Sequence, residues 1–156
     1  MTSRFVVFDT ESDGLAYEAT KFHILVWTED GENFHDTNNC DEITKFFLQE
    51  DVIFICHNAI GHDMPLANRL LGLNLKYQQF WDTLALSWYL FPDRNRHGLE
   101  WIAKEYGLEK HKVDDWQNVT YEQMKHRCTE DVKVNWLEFI RQRDRLDEIY
   151  NGKDYP

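Results

Sequence analysis

The stretch RFVVFDTESDGL, residues 4–15, is an apolar run that ends in three acids within five positions. Residues 5–8 are apolar without alternation, which predicts a strand that is buried on both faces. Asp9, Glu11 and Asp13 then bring three negative charges to the end of that strand. Because Asp9 and Glu11 are two positions apart, their side chains share one face of an extended segment. Such a cluster of like charges requires a compensating partner.

Length and composition predict one folded domain. The 156 residues are enough for a sizeable core, and the 42% hydrophobic and 15% aromatic content argues against disorder. We expect a single domain over residues 1–150 and a loose tail over residues 151–156. No apolar stretch has the length of a membrane span, and the N-terminus lacks a signal-peptide pattern. The three cysteines (Cys40, Cys56 and Cys128) are odd in number and form no C-x-x-C pair, which argues against a disulfide framework and a zinc site.

Hydrophobic periodicity predicts an opening meander followed by strands that alternate with helices. The strands are predicted at residues 4–9, 22–28, 32–35, 51–57 and 77–81, and the helices at residues 41–50, 62–71, 83–90, 99–106 and 121–149. Asp82 is the predicted N-cap of the third helix, and Gly72 stops the second. This order of elements favours an α/β fold with a mixed sheet.

Acidic residues also stand at the ends of other predicted elements. Asp63 begins the helix that follows the buried strand 51–57, and Asp131 lies in the last helix. If they meet Asp9 and Glu11 in space, four carboxylates repel one another unless cations neutralise them. Hard divalent cations prefer oxygen ligands, and two such ions about 3.5–4 Å apart catalyse phosphoryl transfer.

Three segments resemble the motifs of the DEDD 3′–5′ exonucleases, in the same order. They are FDTESDG (residues 8–14), HNAIGHD (residues 57–63) and HRCTED (residues 126–131). WDTLALSWYL (residues 81–90) and HGLEWIAKEYG (residues 97–107) resemble segments of the proofreading domains of family A DNA polymerases, particularly phage ones. The resemblance implies a ribonuclease H-like (DnaQ-like) fold, with a mixed five-stranded sheet flanked by helices. It also implies the release of nucleoside 5′-monophosphates, one at a time, from a 3′ end.

The resemblance also implies a set of catalytic residues. Asp9, Glu11, Asp63 and Asp131 match the positions of the family's metal ligands, which hold two Mg²⁺ or Mn²⁺ ions. His126 stands five residues before Asp131 and fits the H-x4-D form of the family, in which the histidine takes the proton of the attacking water. A neutral imidazole suits that role because it titrates near the working pH.

The spacing of His126 conflicts with one continuous helix. Five residues advance about 140° beyond a full turn, so His126 and Asp131 would face different sides. Arg127, where proofreading domains of polymerases usually carry a tyrosine, would lie nearer to Asp131. Thr129 offers a late N-cap, whereas the capping box at residues 120–123 offers an early one. We therefore expect a short helix, a kink that brings His126 to the metal ions, and then a long helix.

Five further residues are assigned to substrate binding. Thr10 and Asn58 lie within the resembling motifs. Leu15 matches a position where the family tends to place an apolar contact to the terminal base, and core packing is its alternative. Arg94 and Arg96 lie in the most basic short stretch and would hold phosphates if the stretch is near the site. A solvated loop is the alternative for both arginines.

Two tryptophans lie in the segments that resemble polymerase proofreading domains. Trp88 shares a helical stripe with Leu84 and Phe91, which predicts a core position. Trp101 falls off the stripe of its helix, where it either stacks on a base or packs at the periphery.

The net charge of −11 opposes long-range capture of nucleic acid. We therefore expect short, local binding at a single-stranded or frayed 3′ end of DNA, in a protein that proofreads for a separate DNA polymerase. Its expected location is the cytoplasm, or the host cytoplasm if it is phage-encoded.

A small exoribonuclease of the same fold is the first alternative, because discrimination between DNA and RNA depends on contacts at the sugar 2′ position. A nuclease-dead domain that binds nucleic acid or a polymerase, and an endonuclease, are the others.

Overall fold

The computed structural model describes residues 3–109, 112–115, 118–151 and 153. The strands are β1 (Arg4–Ser12), β2 (Phe22–Thr28), β3 (His35–Thr37), β4 (Val52–Cys56) and β5 (Phe80–Asp82). The α-helices are α1 (Cys40–Phe47), α2 (Asp63–Leu71), α3 (Thr83–Leu90), α4 (Leu99–Glu105) and α5 (Tyr121–Tyr150). A single 3-10 turn, Tyr77–Gln79, leads into β5.

The strands form one mixed sheet in the order β3-β2-β1-β4-β5. β2 is antiparallel to both β1 and β3, whereas β1, β4 and β5 run parallel. The carboxyl ends of these three parallel strands therefore lie at the same edge of the sheet. The mixed five-stranded α/β architecture expected from the sequence is confirmed.

Helices cover both faces of the sheet. Val7 of β1 packs with α5 residues, including Val132 and Phe139, on one face. Phe8 packs with α1 and with Phe54 of β4 on the other face. Because successive side chains of a strand alternate, Asp9 and Glu11 point to the α5 side and Thr10 to the opposite side.

Four strands differ from their predicted bounds. β4 is one residue shorter at each end than predicted, and residues 77–79, predicted as the start of the last strand, form the 3-10 turn that precedes β5. The other two differ for identifiable reasons. β1 continues to Ser12 because its last residues pair with β2, so Asp9 and Glu11 lie inside the strand and not after it. The third strand begins at His35, not at residue 32. The backbone N–H groups of Glu32 and Asn33 donate to the Asp30 carboxylate, which holds them in a turn instead of a sheet ladder.

The predicted kink in the last helix is wrong, because α5 is one continuous helix of 30 residues. The capping box of Thr120 and Gln123 starts it. The Thr129 hydroxyl donates to the Lys125 carbonyl at 2.6 Å, as a threonine inside a helix does, and caps nothing. Asn151 ends α5 in the left-handed conformation, and the predicted tail beyond it lies outside the described residues except for Lys153. No helix among the described residues is long and apolar enough to cross a bilayer.

Trp88 is not a core residue. It is 61% exposed, and its ring stacks on His97 with 3.7 Å between ring centroids. The buried face of α3 consists of Thr83, Ser87 and Leu90. Polar contacts to α5 and to the α3–α4 connection occupy that face, so the apolar stripe did not mark the buried side.

Candidate active site

Four acids from three elements meet around Asp9. Carboxylate oxygens of Asp9, Glu11 and Asp131 lie within 4.8 Å of one another, with Asp131 coming from α5. Asp63, the first residue of α2, forms a second group with Asp9 and Cys56 within the same distance. The structure thus brings together the four acids that the sequence singled out, and Asp9 belongs to both groups.

The pKa of Asp9 shows that the close approach of these acids is electrostatically unfavourable. Desolvation in the packed site raises the pKa of Asp9 well above its usual value, and the charges of Asp131, Glu11 and Asp63 raise it further. Without a compensating cation the site therefore favours a protonated Asp9. A set of oxygen donors that repel one another is the environment that a hard divalent cation stabilises. The residues present fit such an ion.

The carboxylate of Asp63 is held on both of its oxygens. The Thr10 hydroxyl donates to Oδ1 at 2.6 Å, and the Cys56 thiol donates to Oδ2 at 3.2 Å. His62 Nδ1 lies 3.7 Å from Oδ2, and the interaction with the Asp63 carboxylate raises the pKa of His62. Thr10, which the sequence assigned to substrate binding, is buried, and its hydroxyl positions Asp63.

Two buried cysteines were missed as site residues by the sequence analysis. The Cys128 thiol donates to Asp9 Oδ2 at 3.3 Å, as the Cys56 thiol does to Asp63. Desolvation raises the pKa of both thiols, and the neighbouring acids raise it further, so both remain protonated donors. Their positions in the sequence could have identified them as site residues. Cys128 precedes Asp131 by three residues and so shares its helix face, and Cys56 ends a buried strand.

Asp82 fixes the loop that leads to Asp63. As predicted, it caps α3, accepting hydrogen bonds from the backbone N–H groups of Leu84 and Ala85. It also accepts from the backbone N–H groups of Asn58 and Ile60, at 3.0 Å each. Asn58 adopts a left-handed backbone with φ of 64° and has an exposed side chain. The turn before α2 is therefore set by a carboxylate on the neighbouring strand.

Leu15 lies in the connection between β1 and β2 and is 68% exposed. Core packing, the alternative role for this residue, is thereby excluded. The loop around it is ordered by Asp13, whose carboxylate accepts from the backbone N–H groups of Thr20 and Lys21. An exposed leucine on an ordered loop is available for an apolar contact.

The continuous α5 separates His126 from the acids. The imidazole is 57% exposed, and its Nε2 lies 3.3 Å from Oε1 of Glu130. Arg127 instead faces the site, with Nε 3.4 Å from Oε1 of Glu11. Without the predicted kink, the first turns of α5 present an arginine to the acid group and not a histidine.

Arg94 and Arg96, which the sequence assigned to phosphate binding, each contact other side chains of the protein. The Arg94 side chain is only 6% exposed, and its guanidinium donates to Glu138 at 2.9 Å and to Glu105 at 3.0 Å. Arg96 lies over the ring of Trp101, 4.0 Å from the centroid. Glu138 is about 10 Å along α5 from Asp131. Arg94 therefore secures the segment between α3 and α4 at a distance from the acids, whereas Arg96 packs on Trp101 of α4.

Thr10→Val tests the positioning of Asp63. Valine keeps the shape of threonine but leaves Asp63 Oδ1 without its hydroxyl donor. We expect a loss of about 1–3 kcal/mol in unfolding free energy and of about 10–100-fold in metal affinity or activity. Thr28→Val is the control for stability alone. Thr28 is also buried, and its hydroxyl oxygen accepts a hydrogen bond from the backbone N–H of Gly31 in the turn after β2. Equal metal affinity in the two variants, measured by titration calorimetry, would contradict this role.

Comparison with known proteins finds a relative in sequence among the DNA polymerases. No family model matches the chain. The DNA polymerase III PolC-type of Staphylococcus saprophyticus is 26% identical over 190 aligned positions, which include 98% of this chain and 12% of that protein. The chain therefore spans a small part of the length of this relative.

Solved structures show the same fold. NrnC of Brucella melitensis matches with a TM-score of 0.74 and 17% identity, covering 94% of this chain and 75% of that one. It also matches in forms bound to pGG and to Mg²⁺. RNase D of Escherichia coli, an exoribonuclease involved in structured RNA processing, matches with a TM-score of 0.68 and 13% identity, covering 94% of this chain and 40% of that one. The ribonuclease H-like fold is confirmed, and the resemblance to DEDD exonucleases is supported. The resemblance to phage polymerases gains no support from these relatives.

Proposed function

We propose that this chain is a metal-dependent 3′–5′ exonuclease. The observation that carries the proposal is that Asp9, Glu11, Asp63 and Asp131, from three separate elements, lie close together. They form two overlapping groups, each close enough for its members to bind one cation. A domain that only bound nucleic acid would gain nothing from surrounding one desolvated carboxylate with three others. The four acids are the proposed ligands of two Mg²⁺ or Mn²⁺ ions.

The residues of the site have different roles in the proposed hydrolysis. Bound divalent cations would lower the pKa of the attacking water and stabilise the charge that develops on the phosphate. Asp9 belongs to both acid groups and so joins them, while Thr10, Cys56 and Cys128 keep the carboxylates in place. The oxygen of water bonds to phosphorus, and the bond from phosphorus to the preceding 3′ oxygen breaks. That oxygen takes a proton, which leaves a shortened strand and a nucleoside 5′-monophosphate.

DNA is the first proposed substrate. The relative in sequence is a DNA polymerase, and its match extends over nearly the whole of this chain. The net charge of −11 favours short contacts at a single-stranded or frayed 3′ end over a long duplex footprint. On this basis we propose that the chain removes 3′-terminal nucleotides in association with a DNA polymerase.

RNA is the second candidate substrate, favoured by a different observation. RNase D, an exoribonuclease, shares the fold over 94% of this chain. In this version the same four acids and the same bond cleavage operate on a strand that carries 2′-hydroxyls. Contacts to the sugar would decide between the two substrates.

The deciding experiment compares single-stranded DNA and RNA of one sequence, each labelled at the 5′ end, with Mg²⁺ or Mn²⁺. We expect a ladder that shortens from the 3′ end of DNA and is absent with Asp9→Ala. A ladder on RNA alone would move the function to the exoribonuclease. Cleavage of circular single-stranded DNA would indicate an endonuclease, and intact labels together with no Mn²⁺-dependent rise in melting temperature would indicate a nuclease-dead domain.

The same assay tests the role that the resemblance implies for His126. If His126→Ala keeps the ladder, the imidazole is not the acceptor of the water proton, in agreement with its position on α5. If His126→Ala abolishes the ladder while Mn²⁺ still raises its melting temperature, the histidine takes part in the reaction despite that position.

Leu15→Ala tests the contact to the terminal base. Because the side chain is exposed, we expect the unfolding free energy to change by less than about 0.5 kcal/mol. Loss of its apolar contact should raise KM for the oligonucleotide by about 10-fold, equivalent to about 1.4 kcal/mol of binding. Leu48→Ala, at the equally exposed end of α1, is the matched control. An equal KM in the two variants would remove Leu15 from the substrate site.

A further inference from the structure

Arg127 faces the acid group, although no role follows for it from the motifs. It stands four residues before Asp131 on the continuous α5, so the two side chains are about 40° apart around the helix axis. Its Nε is 3.4 Å from Glu11 Oε1, and the two side chains are 21% and 19% exposed. Arg127 is thus at the margin of the site and partly open to solvent, whereas the Arg94 side chain is only 6% exposed.

Charge balance indicates what this guanidinium does. Two divalent cations carry four positive charges, which already balance the four carboxylates. Arg127 adds one further positive charge to the site. A phosphodiester brings one negative charge, so the charges of these cations, carboxylates and Arg127 sum to zero when a phosphate is also present. Glu11 is a partner of Arg127 in the metal-free chain, and the charge balance allows Arg127 to pair with a phosphate of the substrate.

We propose that Arg127 is a catalytic residue that contacts the scissile phosphate, an inference that rests on the proposed exonuclease function. The planar guanidinium donates two parallel N–H bonds, which match the geometry of a phosphate better than an ammonium group does. When divalent cations share the charge of Glu11, the pull of that carboxylate on Arg127 weakens. The guanidinium then donates to a non-bridging oxygen of the phosphate.

The contact contributes most while bonds are changing. As the water oxygen bonds to phosphorus and the bond to the 3′ oxygen breaks, negative charge grows on the non-bridging oxygens. A fixed positive charge beside them stabilises that transition state more than the bound substrate. Arg127 itself neither gives nor takes a proton, because an arginine stays charged throughout.

The test compares two variants. Arg127→Met keeps much of the length of the side chain but removes its charge, and Arg127→Lys keeps the charge but removes the planar guanidinium with its two parallel N–H donors. Arg145→Met is the matched control, because Arg145 pairs with Glu148 on the exposed side of the same helix. Three quantities are measured: the single-turnover rate of DNA and RNA hydrolysis, the Mn²⁺ affinity without nucleic acid, and the affinity for thymidine or uridine 5′-monophosphate with Ca²⁺.

We expect Arg127→Met to lower the rate by about 10²–10³-fold, the usual cost of removing one transition-state donor, and Arg127→Lys to restore part of it. Monophosphate affinity should fall at least about 10-fold in Arg127→Met, while Mn²⁺ binds as tightly as before or more tightly, because a competing cation is gone. Arg145→Met should match the wild type in all three quantities.

Two results would overturn the inference. If Arg127→Met loses Mn²⁺ affinity together with activity, the arginine only supports Glu11. If rate and monophosphate affinity are unchanged, Arg127 does not touch the phosphate. Failure of the proposed function is a separate result, because the wild type would then neither shorten a strand nor bind Mn²⁺.

Discussion

Asp9→Asn is expected to lower hydrolysis by at least about 10³-fold, since it removes several kcal/mol of metal-dependent stabilisation of the transition state. The same substitution should stabilise the metal-free protein at neutral and alkaline pH. Asparagine keeps the size of aspartate but has no charge to repel Glu11, Asp63 and Asp131. One variant would thus lose function and gain stability, which is typical of a site whose charges serve a ligand.

The sign of the pH dependence follows from the raised pKa of Asp9. In the unfolded chain an aspartate loses its proton near pH 3.9, whereas the folded site retains it to higher pH. The folded state therefore binds more protons between the two pKa values, and the unfolding free energy falls as pH rises through that window. We expect the wild type in chelator to lose melting temperature over this range and Asp9→Asn to lose less.

Asp13→Asn is the control for this measurement. The Asp13 carboxylate accepts hydrogen bonds from Thr20 and Lys21, which lower its pKa, so its stabilisation is lost as pH falls. It should not reproduce the gain seen with Asp9→Asn. Added Mn²⁺ should then stabilise the wild type by about 2.7 kcal/mol at 100 times its Kd, and Asp9→Asn by far less. An equal Mn²⁺ shift in Asp9→Asn would show that Asp9 is not a ligand.

The second large effect is one of stability. Arg94→Met is expected to cost about 3–5 kcal/mol of unfolding free energy, because it leaves the fully buried carboxylate of Glu138 without its cation. The double variant Arg94→Met with Glu138→Leu should recover most of that loss, since neither charge then remains buried. Chemical denaturation of the wild type, both single variants and the double variant measures the coupling directly.

The same variants separate the two roles considered for Arg94. The double variant, assayed well below its melting temperature, should bind the oligonucleotide with the KM of the wild type. If KM rises while the unfolding free energy is restored, Arg94 does contact phosphate and its pairing with Glu138 is not its whole role. If the double variant is as unstable as Arg94→Met, the buried pair is not the source of the effect.

The acids could be predicted from the sequence because their signal is local. Asp9 follows an unbroken apolar run, and Asp63 opens a helix after another buried strand, so their convergence follows from strand order. The partner of Arg94 could not be predicted, since Glu138 is 44 residues away and looks like any other acid of a long helix. The thiol donors were missed for a similar reason: the sequence shows cysteines as candidates for disulfides or zinc, not as hydrogen-bond donors to carboxylates.

The course of α5 shows how local signals can compete. The capping box at Thr120 and the late cap offered by Thr129 both fit the sequence. Propagation of a helix is favourable once it has begun, whereas a second nucleation is costly, so the earlier cap prevails. That outcome turns His126 away from the acids and Arg127 towards them. The positions of His126 and Arg127 around a continuous helix indicated this outcome. The prediction of a kink went against that indication.

The order in which the acids occur along the chain has a consequence during synthesis. Asp9 and Asp63 leave the ribosome well before α5, which supplies both Asp131 and the thiol that donates to Asp9. A nascent chain without that helix holds three of the four acids, and the sheet face bearing Val7 and Ile55 has no cover. It cannot complete the metal-binding group. Until α5 has folded against the sheet, the nascent chain therefore lacks one of the four proposed metal ligands and the thiol that donates to Asp9.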